Sequence, residues 1–302
     1  MNMYQKRKIR SEMKNNNQEE KLTKVGINWY PGHMAKTKRL IKENISNIDV
    51  VYELVDSRIP YSSKIKDIDE LIHNKKRILI MTKKDLCDIS ITNKWVKYYE
   101  DLGYKVLLVD LNNSNSIKEI VNATNEITMD IQDKRLNKGL AKKELRVLVV
   151  GIPNVGKSTL INKMCNKKVV NAENRPGVTK SMTYIKTNYG ITLLDTPGIL
   201  WPKLDDETIA LNIASTGGIK SDILNLDGIC IHILNFLFYY YNSKIQELYG
   251  ISDNDVMSMY ETIGKRIGAF KNNEVDYDKV SKKVYNDIVS EKIKGVTFDI
   301  WK

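Results

Sequence analysis

A mostly parallel, doubly wound α/β domain followed by an all-α helical C-terminal domain is the fold class predicted by this 302-residue sequence. Three observations carry it. Short runs rich in Val, Ile and Leu alternate with longer helical stretches from Val50 onward. Those runs are continuously apolar rather than alternating, as in strands covered by helices on both faces. Strand signals then stop after Leu204, and the remaining chain carries only helical patterns.

Taken in order, residues 1–24 form a polar, basic segment with an Asn/Gln run at 15–18, which predicts a mobile arm. A helix is expected over 34–47 and strands over 50–55, 77–81, 105–110, 147–151 and 191–195. Between the strands, helical periodicity covers 64–74, 90–102, 116–143 and 157–166. Further helices are expected over 229–248, 254–265 and 276–292. The domain boundaries that follow are an arm 1–24, an α/β domain 25–203 and a helical domain 204–302.

Composition narrows the function classes. At 42% hydrophobic the chain can bury a sizeable core, which excludes disorder throughout. The longest apolar stretch, residues 229–241, is interrupted by His232 and Asn235 and is too short to cross a bilayer; it reads as a buried helix, without membrane insertion. Cys87, Cys165 and Cys230 lack metal-ligand spacing and form no disulfide framework, which fits a reducing, cytoplasmic setting. The N-terminus lacks the apolar core and cleavage site of a secretory signal. The net charge of +11 is uneven: residues 1–42 contribute +8, residues 265–302 contribute +3, and the 222 residues between them sum to zero. Basic flanks of this kind suit a phosphate-rich partner.

The segment Gly151-Ile152-Pro153-Asn154-Val155-Gly156-Lys157-Ser158 matches G-x-x-x-x-G-K-[ST] in full, between a predicted strand and a predicted helix. Glycines there let backbone N–H groups from Asn154 through Thr159 curl around phosphate oxygens, Lys157 reaches the β- and γ-phosphates, and the Ser158 hydroxyl can bind Mg²⁺. Forty-four residues after Gly151, a strand ends in Asp195-Thr196-Pro197-Gly198. Asp195 can hold Mg²⁺ through water and the Gly198 N–H can meet a γ-phosphate. Between the two, Thr179 in Arg175-Pro176-Gly177-Val178-Thr179 can add a second Mg²⁺ hydroxyl. Together these motifs predict a nucleotide hydrolase.

The base-reading motif lies upstream. The strand 77–81 runs into Thr82-Lys83-Lys84-Asp85, similar to the N-K-x-D of guanine-nucleotide proteins. Asp85 can accept hydrogen bonds from the guanine ring N–H and exocyclic amine, and Lys83 can lay its stem along the base. Thr82 stands where Asn is usual, so one amide contact is lost or replaced by a hydroxyl, and an ATP-using enzyme stays open. A backbone contact to the base can come from the loop 111–116.

A base motif ahead of the phosphate loop implies a circular permutation. The set of motifs resembles the bacterial ribosome-biogenesis GTPases of the circularly permuted GTPase family, whose mitochondrial relatives share the arrangement. The resemblance rests on Trp29-Tyr30-Pro31-Gly32-His33-Met34-Ala35-Lys36, Val55-Asp56-Ser57-Arg58-Ile59-Pro60, the Thr82 to Asp85 motif, the phosphate loop, Arg175 to Thr179, and Asp195 to Lys203. It implies GTP/GDP and Mg²⁺ as ligands, and a helical C-terminal domain that docks on rRNA of a large ribosomal subunit precursor. Ile199 occupies the place where many small GTPases carry a water-orienting Gln, so slow intrinsic turnover is expected, with stimulation by the ribosomal particle. Negligible turnover, leaving a nucleotide-gated RNA-binding scaffold, is the alternative. The resemblance suggests His33 as the group that supports catalysis, and an imidazole can position water or stabilise charge. It also suggests K⁺ at Asn154, as in potassium-activated relatives. His73 and His232 read as structural.

Overall fold

The structure, a computed structural model, describes residues 32–66, 68–72, 74–170, 183–198 and 206–301, and leaves out the side chains of residues 32–36. The α/β part runs α1 (Gly32–Asn44), β1 (Val50–Asp56), α2 (Ile68–Ile72), β2 (Lys76–Thr82), α3 (Ile89–Asp101), β3 (Lys105–Leu108), α4 (Ser114–Ile127), α5 (Met129–Leu136), β4 (Leu145–Gly151), α6 (Lys157–Cys165), β5 (Thr183–Lys186) and β6 (Ile191–Asp195). The helical part runs α7 (Glu207–Ser215), α8 (Leu226–Tyr240), α9 (Asn242–Tyr249), α10 (Val256–Ile267), a minimal hairpin β7 (Phe270–Lys271) and β8 (Glu274–Val275), and α11 (Tyr277–Val289).

The sheet order is β3-β2-β1-β4-β6-β5, parallel except for β5 at one edge. Every residue of β1 and β6 is buried, and so is all of β4 except Arg146, which explains their continuous apolar runs. The chain leaves β1 toward β2 and β3 but leaves β4 toward β6. The β1/β4 junction is therefore the switch point where such sheets open a crevice at their carboxyl ends.

All five predicted strands form. Three helices differ from expectation. The stretch 116–143 breaks at Thr128, which leaves helical geometry and turns its hydroxyl onto the Thr124 carbonyl, and the helix beyond stops at Leu136 before the left-handed Gly139. The stretch 229–248 breaks at Tyr241, whose hydroxyl accepts from the Thr297 N–H at 3.1 Å. Among the described residues of 64–74, the helix covers 68–72. Two strand pairs were not foreseen. Strand β5 is an exposed edge with no apolar run, and β7–β8 is a two-residue hairpin turned by Asn272-Asn273, both at positive φ, where Asn tolerates the left-handed region.

Side-chain caps fix the starts of the helical part. Asp206, Asn225, Asp255 and Asp276 each accept from backbone N–H groups in the first turn of the following helix. Helix α8 packs along α11 and buries Ile229, Cys230, Ile233, Leu234 and Leu237 in one core that is continuous with the sheet core. The three cysteines are free and buried, and no helix among the described residues is long and apolar enough to cross a membrane.

The chain end returns to the α/β part. The Gly295 and Val296 N–H groups donate to the Leu86 carbonyl, and the Phe298 N–H donates to that of Arg58 at 2.7 Å. Asp299 is buried and accepts four hydrogen bonds, from the N–H groups of Tyr61 (2.8 Å) and Ser62 (2.7 Å), the Ser62 hydroxyl (2.5 Å) and the Asn212 amide (3.0 Å). Burial pushes its carboxyl up, and these bonds pull it back only in part. Asn212 also meets His232 Nε2 at 3.0 Å. Burial drives the His232 pKa down to about 4, so it is a neutral structural histidine at pH 7.

Asp299→Ala removes one acceptor and strands four donors, so it should cost about 2–4 kcal/mol of unfolding free energy. Urea denaturation checks this, and a loss under ~0.5 kcal/mol would show that the network carries no stability.

Candidate functional site

The phosphate loop leaves β4 at Gly151 and enters α6 at Lys157, with Gly156 as N-cap at φ 93°, a conformation that favours glycine. Asn154 is also left-handed, at φ 63°. The backbone from Asn154 to Thr159 thus turns into a helix N-terminus, where N–H groups and the helix dipole favour anions. Lys157 Nζ is buried and folds back onto the carbonyls of Gly151 (3.0 Å) and Ile152 (2.8 Å). Burial lowers its pKa to about 8, with Asp195 opposing the shift. Gly198 closes the other side; a Cβ there would lie 2.8 Å from the Pro153 nitrogen, so only glycine lets the Asp195–Gly198 turn meet the phosphate loop. Asp195 is buried at the carboxyl end of β6, beside β4. Ser158, in the first turn of α6, is half-buried.

Thr82 ends β2 and is fully buried, with its hydroxyl 2.7 Å from the Val155 carbonyl and 3.1 Å from that of Val55. A hydroxyl thus ties the base motif to the phosphate loop, and Gly156 sits against both Thr82 and Leu111 of the loop after β3. Lys83 adopts φ 59°, its carbonyl accepts from the Ser57 hydroxyl at 2.9 Å, and its Nζ lies 3.3 Å from Asp56 Oδ2. Burial lowers the Lys83 pKa, Asp56 opposes this, and the like charge of Arg58 adds to it. Asp85 is exposed two residues further on, on the same carboxyl edge of the sheet.

The sequence assigns Asp56 and Arg58 no role, and the structure supplies one. Arg58 Nη2 and Nε meet Asp56 Oδ2 and Oδ1 at 2.7 and 3.0 Å, both residues are buried, and Arg58 Nη1 donates to the Ile288 carbonyl in the last turn of α11 at 3.3 Å. Burial alone would raise the Asp56 pKa, but Arg58 and Lys83 outweigh it and hold the carboxyl well below the usual range. The signal in the sequence was an Asp-x-Arg directly after a strand, at the switch point of the sheet.

Asn154 supplies a second link to the helical part: its amide donates to the Thr216 carbonyl at 3.1 Å, just past α7. Thr179, the rest of 175–179 and Ile199 lie outside the described residues, as do His73 and the arm 1–24. His33 is in the first turn of α1, with its side chain outside the description. Of the C-terminal cations, Lys283 and Lys292 are drawn onto Asp287.

The Gly151–Ser158 loop, the Asp195–Gly198 turn and the Thr82–Asp85 motif meet at the carboxyl ends of one mostly parallel sheet. This is a P-loop nucleotide-binding domain whose motif order is permuted. The 50S ribosome-binding GTPase family matches residues 146–262. The "Ribosome biogenesis GTPase A" of Priestia megaterium is 42% identical over 277 residues, covering 90% of this chain and 96% of its own length. That of Bacillus cereus is 39% identical over 276 residues, covering 90% and 93%. The crystal structure of GNP-bound YlqF from T. maritima has the same fold, with a TM-score of 0.62, 23% identity and coverage of 88% of this chain and 98% of that one. The chain belongs to the ribosome biogenesis GTPase A family and is a GTP-hydrolysing enzyme. Membership of a GTPase family sets aside the ATP-using alternative left open by Thr82.

Two outcomes are expected. In the free protein Lys157 sheds its proton as pH rises through about 8, whereas a phosphate-bound lysine keeps it. GDP affinity should therefore weaken roughly three- to fourfold between pH 7 and 8.5, with proton uptake on binding. Calorimetry in buffers of different ionisation enthalpy measures both, and a flat profile would refute the shift. Thr82→Val keeps shape but loses the bond to Val155; about 1–2 kcal/mol of stability should go with it, read by thermal unfolding.

Proposed function

We propose that this GTPase is an assembly factor for late maturation of the large ribosomal subunit, binding rRNA-containing particles in its GTP state and leaving after hydrolysis. In this reading residues 25–203 are the GTPase domain, 204–302 the RNA-binding domain, and 1–24 a basic arm. The contact from Asn154 in the phosphate loop to Thr216 in the helical part carries the gating. A change of phosphate occupancy that moves the loop moves an acceptor on the RNA-binding side. Relatives named for ribosome biogenesis supply the partner class.

Within the site, Lys157 Nζ exchanges its two carbonyl partners for β- and γ-phosphate oxygens and carries its proton while bound. Backbone N–H groups from Asn154 to Thr159 hold the phosphates, and that of Gly198 meets the γ-phosphate. Asp85 accepts from guanine, with the Lys83 stem along the ring and Thr82 keeping the motif in register with the loop. Ser158, Thr179 and Asp195 are hard oxygen donors suited to Mg²⁺, whose chemistry is to neutralise phosphate charge. Asp195 fits that role: it is buried beside the phosphate loop, where Lys157 already feels its charge. The Asn154 carbonyl oxygen faces the same task for K⁺. His33 orients the attacking water in place of the Gln that Ile199 displaces.

Single-turnover GTP hydrolysis should rise at least ~tenfold with large-subunit precursor particles, and His33→Ala should abolish that rise while leaving GDP binding intact. No stimulation by any ribosomal particle, and no cofractionation with one in a non-hydrolysable GTP analogue, would overturn the assembly reading.

A further inference from the structure

Charge that cancels over the middle of the chain does not cancel locally. Residues 134–146 hold six cations and one carboxylate. The fold carries this segment to the amino edge of the sheet, because α5 ends at Leu136 and the chain must return to start β4 at Leu145. There Arg135, Lys142, Lys143 and Arg146 line, with Glu144 and Thr192, a cavity of about 540 Å³. Strands β4 and β6 start beside it and end at the phosphate loop and the Asp195 turn, so a seven-residue strand, roughly 20 Å, separates the cavity from the nucleotide motifs.

The frame around the cavity is built. The Lys143 backbone is clamped by the Gln132 amide, N–H and carbonyl each at 2.9 Å. Arg135 Nε donates to the Ala141 carbonyl at 3.1 Å, fixing the loop against α5. The nearby carboxylates are occupied. Asp49 takes Lys143 Nζ at 2.6 Å and the Arg146 N–H at 2.9 Å, and Glu144 accepts from the Thr192 hydroxyl at 2.5 Å. Among the described residues Arg135, Lys142 and Arg146 form no salt bridge, and Lys142 and Arg146 are exposed.

From this we infer that the cavity binds the phosphate backbone of RNA. Excess cations call for a polyanion, and every lining residue is polar or charged, with no apolar wall to hold the body of a small molecule. Such a surface holds phosphates without reading bases. The inference deepens the assembly reading, and rests on it for the identity of the particle: the RNA would meet the GTPase domain at the sheet edge opposite the nucleotide, as well as the basic flanks.

The test uses the full chain with Lys142→Gln and Arg146→Gln combined, two exposed side chains outside the nucleotide site. Binding to large-subunit particles and to a protein-free RNA is measured across a salt series. Losing two phosphate contacts should lower the slope of log affinity against log salt by about 1.5 and weaken binding at least ~fivefold near 100 mM salt, with basal GTP hydrolysis and the urea midpoint unchanged. Unaltered slope and affinity on RNA, or a fall in basal hydrolysis or stability, would overturn the site. Competition by polyglutamate as effective as by RNA would overturn the RNA assignment. Wild-type chain that binds RNA but no ribosomal particle would instead overturn the assembly reading and leave the site standing.

Discussion

The buried pair of Arg58 on Asp56 is the interaction on which both parts of the molecule depend. Two charges taken out of water cost several kcal/mol each unless the geometry satisfies them. Here it does: the carboxylate receives two guanidinium N–H groups, the Arg58 backbone N–H and the Lys83 ammonium, and the guanidinium keeps one N–H for the Ile288 carbonyl. Because the pair sits at the β1/β4 switch point, its partners are the base motif on one side and the C-terminal turn of α11 on the other. Leaving either charge alone would disturb the nucleotide site and the helical part together.

Two other contacts give that junction a direction. Thr82 holds the Thr82–Asp85 motif to Val155, so that motif and the phosphate loop share one floor. Asn154 reaches from the same loop to Thr216. The chain end closes the circuit: Phe298 pairs with the Arg58 carbonyl while Asp299 caps the 61–62 turn. A GTPase domain and a helical part joined only by a linker would move independently. These contacts tie the helical part to the phosphate loop, as the proposed nucleotide gating requires.

Much of the site was legible in the sequence because its chemistry is local. A phosphate loop needs Gly156, Lys157 and Ser158 at fixed offsets on one strand–turn–helix unit, and Asp195–Gly198 announces itself at the end of another strand. The strands were legible because burial on both faces forces continuous apolar runs, whereas β5 carries no such run and was missed. Helix breaks at Thr128 and Tyr241 were not legible. At Tyr241 the hydroxyl partners, Asp88 and Thr297, are 153 and 56 residues away. Summing charge over hundreds of residues likewise concealed the 134–146 segment, whose six cations outnumber its one carboxylate.

By itself, then, the sequence determined the α/β class with its helical extension, the permuted motif order, and the phosphate-loop motif at the end of a strand. All of these are written in short windows where spacing along the chain equals geometry. Tertiary structure alone decided that Asp56 and Arg58 join the base motif to α11, that Asn154 faces Thr216, and that four cations share one cavity at the far end of the sheet. Each of these depends on which distant segment becomes a neighbour, and strand order and helix packing fix that only when the whole chain has closed on one core.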